Sequence, residues 1–104
     1  MEHRTNDRKE SDLLARVYRG GIFVGLFRVK DIGSGGLCVI DIEGQLALYD
    51  FVRITLEAEV NSRHRSPPLY ALIVQNTFQS AGAMWAVGQI DVPHIMKCLE
   101  HIAA

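Results

Sequence analysis

The chain reads as an all-β domain with a C-terminal helix, its strands closing into a six-stranded antiparallel β-barrel. Three observations predict this. Short apolar runs recur between glycine and polar punctuation, one run alternates strictly over ten residues, and helical spacing of apolar residues is confined to the tail. A length of 104 residues leaves room for one domain with one modest core. An apolar content of 48% is that of a globular rather than a disordered chain.

The elements follow in order. Residues 1–11 hold no apolar residue after Met1 and are rich in charge, so they predict a flexible N-terminal arm, ordered only when something binds it. The barrel domain is expected over residues 12–104. Residues 13–18 and 22–29 flank Gly20 and Gly21 and predict a hairpin. Residues 37–40 make a third strand, with a turn at Glu43 and Gly44. In residues 51–60, Val52, Ile54, Leu56, Ala58 and Val60 alternate with Phe51, Arg53, Thr55, Glu57 and Glu59, a half-buried strand with the first set inward. After a polar loop over residues 61–68, residues 69–77 and 83–90 read as two further strands joined near Ser80 and Gly82. Regular short strands of this kind favour closure, which removes exposed edges. In the tail, Asp91 caps a helix over residues 92–103 with Pro93 near its start and an apolar stripe of Ile95, Met96, Leu99 and Ile102.

Composition excludes several functions. A net charge of −1 offers no general basic field for a nucleic-acid polymer, so any anion site must be local. Aromatic residues at 8% argue against a base-stacking barrel. Two distant cysteines and no long apolar run or leader at the start predict a reduced, cytoplasmic protein with no membrane insertion. His94, Cys98 and His101 share a helix face, but with no fourth ligand evident a metal is not expected, and Cys98 reads as an apolar filler. Ser34 lacks the strand-to-helix elbow of a nucleophile, so no enzyme is expected. Arg63, His64 and Arg65 read as a solvated loop tip, and Trp85 as core.

Two stretches carry more information. Arg4 and Arg8 are separated by three residues, and after 22 more come Asp31, Gly33, Ser34, Gly35 and Gly36. A planar guanidinium can grip a phosphate, or the O6 and N7 acceptors of guanine, bidentately. An ionised Asp31 can accept from the N1 and N2 donors on the other guanine edge. The glycines are expected to turn the backbone through positive φ and admit a ligand close to the main chain. Together the stretches resemble the signature of the PilZ family, RxxxR followed by D/NxSxxG. Arg4, Arg8, Asp31 and Gly36 match it directly, whereas Gly33 stands in the serine slot and the hydroxyl comes one residue later, at Ser34.

The resemblance implies a PilZ-like barrel whose ligand is cyclic di-GMP, with no cofactor. The implied site is Arg4, Arg8, Asp31, Gly33, Ser34 and Gly36. It implies a bacterial signal-transduction protein, monomer or dimer, that relays second-messenger level to an effector protein controlling motility, polysaccharide or adhesion. The alternative is a degenerate PilZ-like interaction adaptor that does not bind the nucleotide.

Overall fold

The computed structural model describes the backbone of residues 9–10, 12–58 and 63–103, and the side chains of residues 12–58, 63–97 and 99. Seven strands and one helix form along it: β1 (Lys9–Glu10), β2 (Leu14–Arg19), β3 (Ile22–Ile32), β4 (Gly36–Ile40), β5 (Phe51–Glu57), β6 (Leu69–Thr77), β7 (Ser80–Trp85) and α1 (Val92–Ala103). Six of them close a barrel in the order β3, β2, β5, β6, β7, β4, with β4 returning to β3 and every pairing antiparallel. The expected six-stranded barrel with a C-terminal helix is therefore what the chain forms.

Alternation builds the interior. Val52, Ile54 and Leu56 of β5 face Ala15 and Val17 of β2 on one side and Ala71 and Ile73 of β6 on the other, in one buried cluster. Leu37 and Val39 of β4 join it with Ala81, Ala83 and Trp85 of β7. Trp85 is core, as its apolar surroundings in sequence suggest. The β2–β3 turn needs both of its glycines, because Gly20 and Gly21 lie at φ 60° and 81°. On the helix, Asp91 Oδ1 accepts from His94 N at 3.1 Å, so the N-cap forms as expected, and Val92, Ile95 and Leu99 enter the barrel core. Among the described residues no helix is long and apolar enough to cross a membrane.

Four expectations need correction. The last hairpin turns at Phe78 and Gln79, where Gln79 takes φ 61°, so its second strand runs Ser80–Trp85 and residues 86–90 are not strand. Serine and glycine at 80–82 suggested a turn on composition alone. Gly82 lies within β7 instead, opposite Gln75 of β6. The second correction concerns β5, which ends at Glu57, leaving Ala58 exposed beyond it; residues 59–62 lie outside the described residues. Third, Thr55 and Glu57 are buried although alternation places them outward. Ser66 N donates to Leu56 O, and Leu56 N donates to Ser66 Oγ, both at 2.8 Å. This segment takes over the edge of β5 beyond Ile54, and arginines close over the outer face. Fourth, Arg65 is exposed but is not a free loop cation: its Nε lies 3.1 Å from Glu57 Oε2.

The predicted arm is only partly open to comparison. Residues 1–8 and 11, with Arg4 and Arg8, lie outside the described residues. Lys9 and Glu10, expected to belong to the arm, pair with Ile32 and Asp31 as β1.

Candidate ligand-binding cleft

Asp31 owes its position to a bulge. Val29 of β3 pairs with Val39 of β4, but Asp31 pairs with Cys38, so Lys30 is an extra residue on the β3 side. The insertion sends Val29 and Ile32 both into the core and leaves Asp31 half-buried. A second bulge does the same on β6, where Ile73 pairs with Ala83 while Gln75 pairs with Gly82. Because Cys38 pairs with Gly82, one row crosses five strands: Glu10, Asp31, Cys38, Gly82 and Gln75. The two bulges fall in the same row.

Along that row lies an open cleft of about 510 Å³, lined by Asp31, Leu37, Cys38, Gln75, Gly82 and Ala83 among others. Its size is within the range of small-molecule sites. Gly82 keeps it open, since a Cβ there would press on the Gln75 side chain at 3.2–3.3 Å. Arg28 and Lys30 are exposed on the same strand as Asp31. Cys38, Gln75 and Gly82 were not picked out from the sequence, and neither their composition nor their spacing offered a signal. They meet Asp31 only through strand pairing.

The glycine-rich stretch is the turn between β3 and β4. Gly33 N donates to Gly36 O at 2.8 Å and Gly36 N donates to Gly33 O at 3.4 Å. The barrel fastens this turn from outside. Trp85 Nε1 donates to Gly33 O at 3.0 Å, Trp85 N to Gly35 O at 3.0 Å, and Ile90 N to Ser34 O at 2.8 Å. The expectation of positive φ at these glycines is wrong: among the described residues the glycines at positive φ are Gly20, Gly21, Gly44 and Gly88. Gly36 is required for another reason, since a Cβ there would overlap the Ala83 carbonyl oxygen across the β4–β7 pair. Gly35 is exposed, and a Cβ on it would meet nothing within 4 Å. Gly33 is buried.

One hairpin therefore collects Asp31, Gly33, Ser34 and Gly36, while the two arginines of the motif fall outside the described residues. The register of β1 bears on where they enter. Lys9, which follows Arg8 directly in the chain, pairs with Ile32, and Glu10 pairs with Asp31.

Other charged groups serve the fold. The Arg16 fork holds Glu57 through Nε to Oε2 at 2.8 Å and Nη2 to Oε1 at 3.3 Å. That hydrogen bond keeps the Arg16 guanidinium above its ordinary pKa, against a smaller opposing effect of burial. Among the described residues no group of three histidine, cysteine or acidic side chains is placed to hold a metal. The side chains of Cys98 and His101 lie outside that set. No family model matches the chain, and no curated protein matches it.

Proposed function

We propose that this chain is a cyclic di-GMP receptor without a catalytic step, resembling a PilZ domain, that relays ligand occupancy to an effector protein. The observation that carries the reading is the β1 register, which pairs Lys9 with Ile32. Arg8 directly precedes Lys9 in the chain. The strand that follows the RxxxR segment in the chain is thus the one that pairs with the strand carrying Asp31, although the two motifs are far apart in sequence. In this reading Arg4 and Arg8 grip guanine edges or phosphates, and Asp31 accepts from the guanine N1 and N2 donors. The exposed Gly35 and the cleft beside Asp31 leave room for a base. In this reading ligand occupancy changes the surface that an effector meets, which is a population shift driven by differential binding. By resemblance the outputs are motility, polysaccharide or adhesion, in the cytoplasm of a bacterium.

A second reading, an interaction adaptor that no longer takes the nucleotide, is favoured by Gly33. It occupies the serine slot and is buried, with N–H and carbonyl both engaged. The missing hydroxyl alone is too small an effect to abolish binding. One neutral hydrogen bond contributes about 0.5–1.5 kcal/mol, roughly tenfold in affinity at most.

Calorimetry of the full chain with cyclic di-GMP and its adenine counterpart separates the readings. The guanine form is expected to bind selectively, Asp31→Asn to erode the selectivity, and Arg8→Lys to weaken binding by about 1–3 kcal/mol, because lysine keeps the charge and loses the fork. No heat with the guanine form would select the adaptor. Near wild-type affinity in Arg8→Lys, lost steeply on adding salt, would reduce that arginine to a counter-charge.

A further inference from the structure

The outer face of β5, β6 and β7 carries a run of exposed apolar side chains. Phe51 pairs with Leu72, and Leu72 with Met84, so these three side chains form a row on the side away from the core. Tyr70, diagonal to Phe51, stacks on it with ring centroids 6.1 Å apart and planes within 11°. Tyr49 continues the run ahead of β5, its N–H on Ile73 O at 2.7 Å, and Val74 lies further along β6. Exposure is high throughout: Tyr49 73%, Phe51 56%, Met84 48%, Tyr70 46% and Val74 44%. With a large side chain contributing about 150–250 Å², these five expose on the order of 500 Å². That is already near the upper end of the roughly 300–600 Å² reached by the largest patch on an ordinary monomer.

We propose that this face is the interface of a symmetric homodimer, a second copy of the chain lying face to face across Phe51, Tyr70 and Met84. The inference does not rest on nucleotide binding, although Val74 at the edge of the face also lines the cleft beside Asp31. Area is the first argument: these five side chains alone supply more than half of the roughly 800 Å² per partner of a standard interface.

Charge is the second argument. The cation within the patch, Arg53, lies over the Tyr18 ring at 4.1 Å. Nearby Arg16 and Arg19 are held by Glu57 and Asp50 at 2.8 and 2.6 Å. Among the described residues the face therefore presents few uncommitted cations to a nucleic acid, while apolar composition is the mark of homodimer interfaces. A net charge of −1 leaves little repulsion between two copies. The third argument is Tyr49, held at φ 71°, a conformation rare for a bulky residue. At 73% exposure its side chain gains little burial within one copy to offset that strain.

Sedimentation equilibrium of the full chain decides the matter. The expected mass is twice 11.6 kDa, falling toward 11.6 kDa on dilution. Phe51→Lys and Tyr70→Glu, each checked for fold by circular dichroism, should raise the dissociation constant at least about thirtyfold, the effect of losing a central aromatic anchor. Phe78→Ser, at the tip of the β6–β7 hairpin, should leave it unchanged. A wild-type chain that stays monomeric up to its solubility limit overturns the proposal, whether or not the face then takes up a single-stranded oligonucleotide. So does a dimer that survives both face variants, or one that Phe78→Ser dissociates while they do not. Should one face variant fail to fold, the other decides.

Discussion

Glu57 is fully buried, and its two arginine partners stand in different surroundings. The Arg16 side chain is 15% exposed and grips the carboxylate with two nitrogens, while that of Arg65 is 42% exposed and uses one. Removing the buried charge leaves Arg16 uncompensated in a poorly solvated place, so Glu57→Gln is expected to cost about 3 kcal/mol. Arg65→Gln removes only a partly solvated contact, expected to be worth less than about 1 kcal/mol. Urea midpoints at constant m-value test the ranking, and equal losses would mean that Arg65 anchors the segment after β5 rather than completing a charge pair. The contribution of Arg16 has a defined pH window. Its folded pKa lies above the unfolded value, which is itself far above neutral pH, so the contribution is whole through the neutral and mildly alkaline range and is lost only as pH rises through the folded value. The stability difference between wild type and Arg16→Met should therefore stay constant between about pH 7 and pH 9.

Within the β3–β4 hairpin, glycines that look alike in sequence answer to different constraints. Gly36 faces the Ala83 carbonyl, part of the β7 backbone, which cannot yield without moving a barrel strand. Gly36→Ala is expected to cost at least about 1–3 kcal/mol by overpacking, and Gly35→Ala, in open space, to fall within about 0.5 kcal/mol. Thermal melts of the two variants are the measurement, and a mild Gly36→Ala would refute the close approach. The hairpin also shows how far the candidate site was legible. Asp31, Gly33, Ser34 and Gly36 are contiguous, so a sequence reading finds them as a unit. Cys38, Gln75 and Gly82 are brought to Asp31 by two one-residue bulges, and a bulge is set by how the partner strand pairs rather than by local composition.

Across the whole molecule the barrel closes through β4, which joins β3 to β7 and so ties the middle of the chain to its last strand. The β2–β5 and β4–β7 pairings form only by closing long loops, whereas the β2–β3, β3–β4 and β6–β7 hairpins are local. Such a topology is expected to fold in milliseconds to seconds and to unfold in one cooperative step. Stopped-flow refolding and two optical probes of equilibrium unfolding test this, and microsecond folding or two separated transitions would contradict it. Because the proposed dimer binds native chain only, the thermal midpoint should also rise with protein concentration.

By itself the sequence determined the six barrel strands in outline, where the helix begins and that the sheet closes. Apolar alternation, turn glycines at 20 and 21 and the Asp91 cap are local signals, each acting within a few residues. It also carried the hairpin from Asp31 to Gly36. Tertiary structure alone decided what covers each outer face. Alternation separates two faces of a strand but does not say that the segment after β5 and two arginines will bury Glu57, or that Phe51 and Tyr70 stay exposed. Nor did composition place the last turn at Phe78 and Gln79 rather than at the serine and glycine that follow. Pairing register makes those choices, because a strand's hydrogen-bonding neighbours come from distant parts of the chain and a shift of one residue exchanges its faces.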